Sequence, residues 1–82
     1  MRIDKFLKVC RLIKRRTVAN EACDADRILI GGKPVKPSKE VKVGDVITVV
    51  YGNRSLSVRV LEIREVVRKE EASSLYEVID EN

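Results

Sequence analysis

Three consecutive cations, Lys14, Arg15 and Arg16, are followed by Thr17 and a run of small residues, "VANEAC", at helical spacing. Placed before a helix, such a run stands where backbone N–H groups are unpaired and the helix dipole is positive. Cations there oppose the dipole, at a cost of a few tenths of a kcal/mol each. Either the run is a solvated turn, or an anion is meant to sit there. Phosphate suits such a place, because N–H groups and guanidinium forks converge on it. Arginine grips phosphate at two points and stacks on exposed bases, which lysine cannot do.

Little else in the chain suggests chemistry. It has no histidine, no glycine-rich phosphate loop, and no serine or cysteine with an evident base beside it. We therefore expect no catalysis, no cofactor and no metal. Cys10 and Cys23 are too few for a tetrahedral zinc site and read as small buried residues, with a disulfide as the alternative. No apolar run approaches a membrane span and no signal peptide is present, which predicts a cytoplasmic protein without a membrane partner.

Charge supports a polyanionic partner. The net charge is +4 over 82 residues, unevenly spread. Residues 1–42 carry twelve Lys/Arg against five Asp/Glu, a balance of +7, and residues 43–82 carry −3. A one-sided positive field points first to nucleic acid. Aromatics are scarce (Phe6, Tyr51 and Tyr76), and Phe6 reads as core. Without a stacking platform, recognition of RNA backbone shape is favoured over base reading. A protein adaptor meeting an acidic partner is the competing class.

The elements that must position these cations follow from periodicity. In "RIDKFLKVCRLI", Ile3, Phe6, Leu7, Cys10 and Ile13 share about a third of a helical wheel. Lys5, Lys8, Arg11 and Arg15 lie opposite, if that helix runs so far. Asp4 either pairs with and orients an arginine or caps the helix. Thr17 is the expected N-cap of the second helix, whose small residues Val18, Ala19, Ala22 and Cys23 allow close approach; that helix should stop at Asp26-Arg27. "RILIGGKPVK" reads as a hairpin turning at Gly31-Gly32, with Pro34 holding its return strand at a sheet edge. Gly44-Asp45 precedes the strand "VITVVY", Gly52-Asn53 turns the chain, and Leu56, Val58 and Val60 alternate along the partner strand. Residues 70–72 suggest a helical turn, and Tyr76, Val78 and Ile79 a last strand.

In order along the chain, "RIDKFL" (2–7), "RRTVA" (15–19), "ILIGGKPV" (28–35) and "VKVGDVI" (41–47) resemble the S4 RNA-binding domain. The resemblance implies an α+β fold, two N-terminal helices on a small twisted antiparallel sheet. It implies a single domain over 1–82, with its core motif at about 2–47 and a β extension over 48–82. It also implies an RNA surface on the helices and hairpin, formed by Arg2, Asp4, Lys5, Lys8, Arg11, Lys14, Arg15, Arg16, Thr17, Lys33 and Lys36. Two positions depart from the pattern: Asp26 stands where the family has Gly, and Gly31-Gly32 where it has Asn-Gly.

The opening and the "KEEA" segment closely resemble the stand-alone S4 factors of bacterial ribosome-associated quality control, and more distantly a small heat-shock S4 protein. This implies binding to rRNA of large ribosomal subunits that still carry peptidyl-tRNA, as a monomer, alongside a partner that recruits alanyl-tRNA for alanine tailing. An S4-type factor in ribosome assembly or heat-shock ribosome recycling is the alternative.

Overall fold

The computed structural model describes all 82 residues. Helix α1 spans Ile3–Val9 and helix α2 spans Arg16–Asp24. Five strands follow: β1 (Ile28–Ile30), β2 (Lys33–Pro34), β3 (Val46–Tyr51), β4 (Arg54–Val60) and β5 (Tyr76–Glu81), with a 3₁₀ helix over Lys69–Leu75 before β5. The strands form one sheet in the order β2-β1-β3-β4-β5, antiparallel throughout. This is the α+β architecture of two helices and a small antiparallel sheet anticipated above.

Helix α1 is shorter than its periodicity predicts. It stops at Val9, and Arg11 takes a left-handed backbone at φ 62°. On a continued helix Leu12 would lie about 180° from Ile3 and face water. In the observed turn Leu12 and Ile13 both pack against the core. The turn is closed by the Arg11 N–H on the Lys8 carbonyl and the Ile13 N–H on the Leu7 carbonyl, each at 3.1 Å. Arg11 and Arg15 are therefore turn residues and not part of an α1 face.

Thr17 is not the N-cap of α2. Arg15 holds that place in extended conformation with no side-chain cap, and Thr17 is the second helical residue, exposed. Ala19 and Cys23 are buried and Ala22 is half-buried, whereas Val18 points largely to solvent. The stripe inside is thus narrower than the small-residue run suggests. The helix ends at Asp24 with Asp26 left-handed at φ 60°. The Asp26 N–H bonds to the Cys23 carbonyl at 3.0 Å, and the Arg27 N–H to the Ala22 carbonyl at 2.9 Å. This is the double closure usual for glycine, filled here by the residue type that best tolerates it after asparagine and glycine.

The β1–β2 turn has both Gly31 (φ 59°) and Gly32 (φ 82°) in the left-handed region, as a two-residue hairpin of matching twist requires. Pro34 lies on the edge strand β2 opposite Leu29, where its missing N–H breaks no inner ladder. Ile3, Phe6 and Leu7 of α1 close the core over Ile28, Ile47, Val49, Val58 and Val60 of the sheet, all essentially out of solvent. Leu75 of the 3₁₀ helix joins the same cluster. Both thiols are buried and free, which matches the bland reading of the cysteines. Burial pushes each of them up to about 11, with the charges of Asp4 and Asp24 adding to the effect at Cys23.

The segment after β2 decides how α1 begins. The carbonyls of Lys39 and Pro37 accept the Ile3 and Asp4 N–H groups at 2.8 and 3.3 Å, and Arg2 bridges to Glu40. The N-terminus of α1 is therefore occupied by the chain itself. At α2 the first N–H groups, of Arg16, Thr17 and Val18, find no acceptor in the protein.

Candidate nucleic-acid interface

Asp4 lies in the first turn of α1 and is only 2% exposed. A buried carboxylate is costly unless it is paired. Here Arg2 Nη2 reaches Oδ2 at 3.1 Å, and Arg16 Nη2 lies 3.3 Å from Oδ1 in an ion pair. Asn20, one turn along α2, donates its Nδ2 to Oδ2 at 3.4 Å. Burial by itself would raise the carboxyl. The Asn20 amide and the Arg16 guanidinium, with the charge of Arg2, outweigh it and hold Asp4 below the ordinary carboxylate range.

Of the two roles open for Asp4, pairing is the one seen; it makes no cap hydrogen bond. The two arginines remain about half exposed, at 48% and 46% of their side chains. Each meets the carboxylate through one nitrogen, Arg2 by a hydrogen bond and Arg16 by charge contact with an oxygen that has no hydrogen-bond partner, and each presents the rest of its guanidinium to solvent. Arg16, Thr17, Asn20 and Glu21 line the crevice beside Asp4, next to the unpaired N–H groups of α2. Chemically this is an anion cradle: an oriented fork, a helix N-terminus and a hydroxyl.

The cations expected on one RNA surface divide into separate places. Lys5 is bound to Glu65 of the C-terminal extension, so it is not a free contact in this state. Lys8, Arg11 and Lys14 line a cleft that shares no residue with the Asp4 crevice. Lys33 and Lys36 line a third depression, on the hairpin and the loop after it, together with Lys39. Arg15 is exposed and has no ion pair.

Asn20, Lys39 and Lys69 escaped the sequence reasoning. Asn20 had a usable signal, since it stands one helical turn beyond Arg16 and so shares its face. Lys39 and Lys69 had none, because their positions depend on long-range packing.

The S4 domain family model matches residues 1–47, more than half of the chain. The chain belongs to the S4 domain family. It is 51% identical over 78 residues to the RQC P-site tRNA stabilizing factor of Halalkalibacterium halodurans, covering 95% of this chain and 89% of that protein. It is 49% identical over 81 residues to the factor of the same name from Bacillus subtilis, covering 99% and 94%. Among solved S4-like structures, the trimeric heat shock protein 15 of Vibrio cholerae superposes with a TM-score of 0.89 at 30% identity, over 96% of this chain and 81% of that one.

Proposed function

We propose that this chain is an RNA-binding factor of bacterial ribosome-associated quality control, acting in the cytoplasm without catalysing a reaction. It binds large ribosomal subunits that still hold peptidyl-tRNA, contacts rRNA and the tRNA, and steadies the tRNA while a partner recruits alanyl-tRNA for alanine tailing. It acts as a monomer. The observation that carries this reading is the pair of arginines, Arg2 and Arg16, held by one buried carboxylate beside three unpaired N–H groups. A fork already oriented loses little freedom when a phosphate arrives. Near full-length similarity to proteins named as P-site tRNA stabilizing factors supports the choice of RNA and of ribosomal state.

The test is recovery of ribosomal particles with the tagged protein, beside Arg16→Ala. Large subunits enriched in peptidyl-tRNA, with affinity reduced about ten- to a hundredfold in the variant, are expected from loss of a charged phosphate contact. The variant should stay folded, because Arg2 and Asn20 still pair the Asp4 carboxylate and the Arg16 side chain is half exposed. Recovery of immature particles instead would sink the quality-control reading. The likeness to heat shock protein 15 favours heat-shock ribosome recycling as the second reading. It predicts large subunits only after heat stress.

A further inference from the structure

A cleft separates the end of α1 from the segment that leads into the 3₁₀ helix. Lys8, Arg11 and Lys14 stand on one side, and Glu65, Val66 and Lys69 on the other. Its volume of about 670 Å³ falls in the range that takes a small ligand, so a sugar-phosphate unit fits.

None of the four cations has an ion pair. The only carboxylate of the cleft, Glu65, is already engaged by Lys5. Glu62 and Glu71 of the same extension are held by Arg64 at 3.8 and 3.6 Å. Glu62, Glu65 and Glu71 are thus paired with other residues; Glu70, beside Lys69 in sequence, has no ion pair but does not line the cleft, which keeps its positive charge. Two of the cations also stand where the backbone disfavours them. Arg11 occupies a left-handed position suited to glycine or asparagine. Lys69 is the first residue of the 3₁₀ helix, where a cation opposes the helix dipole. The C-terminal end of α1 explains why Lys8 and Arg11 are tolerated. It does not explain Lys69, which arrives from the acidic half of the chain. Val66, 83% exposed, supplies an apolar surface beside them for a sugar or base face.

Resting on the RNA-binding function above, we propose that this cleft is a second RNA-backbone site, in which Lys8, Arg11, Lys14 and Lys69 grip phosphates. The C-terminal extension is then part of the RNA interface and not only a support for the sheet. RNA suits the cleft better than an acidic peptide. The walls carry no strand edge for main-chain pairing, whereas a phosphate chain needs only the converging donors.

Arg11→Gly and Lys69→Gln test this without threatening the fold, since glycine accepts the left-handed backbone at Arg11 and glutamine removes a cation that opposes the 3₁₀ dipole. Affinity for purified tRNA and for isolated large ribosomal subunits is measured across a salt series, with Arg16→Ala in parallel. Each cleft variant should weaken binding to at least one of the two RNAs about three- to tenfold. Each should also flatten the slope of log K against log salt by about 0.7–0.9, as one lost phosphate contact does. Combined with Arg16→Ala, the losses should multiply, as they do for separate sites. Loss with tRNA alone assigns the cleft to tRNA, and loss with subunits alone assigns it to rRNA. Wild-type affinity and slope in both cleft variants, while Arg16→Ala still weakens, would overturn the cleft and leave the proposed function standing. If the wild type binds neither RNA, the function itself fails. Binding of a polyglutamate peptide that Lys69→Gln abolishes, with RNA affinity intact, would overturn the proposal in favour of a protein partner.

Discussion

At the α1–α2 crevice two arginines share one buried carboxylate; at the Lys8–Lys69 cleft four cations share none. Both regions are basic, yet they meet an anion in different ways. In the crevice the guanidiniums are already oriented, and the local charge is partly neutralised before any ligand arrives. Such a site is suited to geometry: a phosphate must come where the fork and the α2 N–H groups converge. In the cleft no ion pair holds the four cations, and three of them are lysines, whose long stems carry a point charge without a fixed fork. Such a site attracts over a distance and depends strongly on salt. Orientation and attraction are thus separated within a single 82-residue chain.

The largest effect on the comparison comes from removing the element that serves both regions. Leu7→Ala empties a fully buried position of α1 and should cost about 2–5 kcal/mol. Thermal unfolding would read it, and binding at both sites should fall together. An unchanged melting temperature would show that α1 does not carry the core.

A smaller effect should separate the two sites. Asp4→Ala frees Arg2 and Arg16 and should cost about 1–2 kcal/mol, discounted because both arginines are half exposed. It should weaken RNA binding through the crevice and leave the Arg11 and Lys69 contributions intact. A variant that binds RNA as tightly as wild type would mean the arginines need no orientation. Acid should reproduce part of this. The folded Asp4 carboxyl lies below its unfolded value, so the unfolded chain binds the proton more readily. The stability from Asp4 is present in full above pH ~4 and is lost as pH falls through the lowered value. The stability gap between wild type and Asp4→Ala, read by chemical denaturation, should narrow as pH falls from neutral through the lowered value.

Next in size, Arg11→Gly should raise stability by on the order of 1 kcal/mol, by relieving a left-handed backbone, while it lowers RNA affinity. Opposite signs for fold and function would mark the cleft as a place where stability is given up for charge. The smallest effect is expected at the Lys5–Glu65 pair. Its acid is exposed, so Glu65→Gln should leave the melting temperature unchanged. Freeing Lys5 should slightly strengthen RNA binding at low salt.

Much of this molecule was legible without coordinates. The inward set Ile3, Phe6, Leu7 and Cys10 follows from a period of 3.6, and the Gly31-Gly32 hairpin from the φ values that only glycine adopts freely. The strands alternate as "VITVVY" and "LSVRV" suggest, and the edge position of β2 follows from Pro34. The errors were local and have local causes. Leu12 and Ile13 together ask for the core, which no single helix face can satisfy, so α1 ends early. The place expected for a Thr17 cap is taken by Arg15, because α2 opens two residues earlier and leaves its N–H groups bare.

Composition, charge asymmetry and the ordered "RIDKFL" to "VKVGDVI" pattern by themselves determined the class of partner, the elements and the family, because these depend on residue type and short-range spacing. Only the tertiary structure decided what Asp4 does and how the cations are partitioned. Arg2, Asp4, Arg16 and Asn20 meet because α2 folds back along α1, and Lys69 reaches Lys8, Arg11 and Lys14 because a segment some sixty residues away in sequence is drawn over the end of α1. Pairing and desolvation act through space, and no reading along the chain contains those distances.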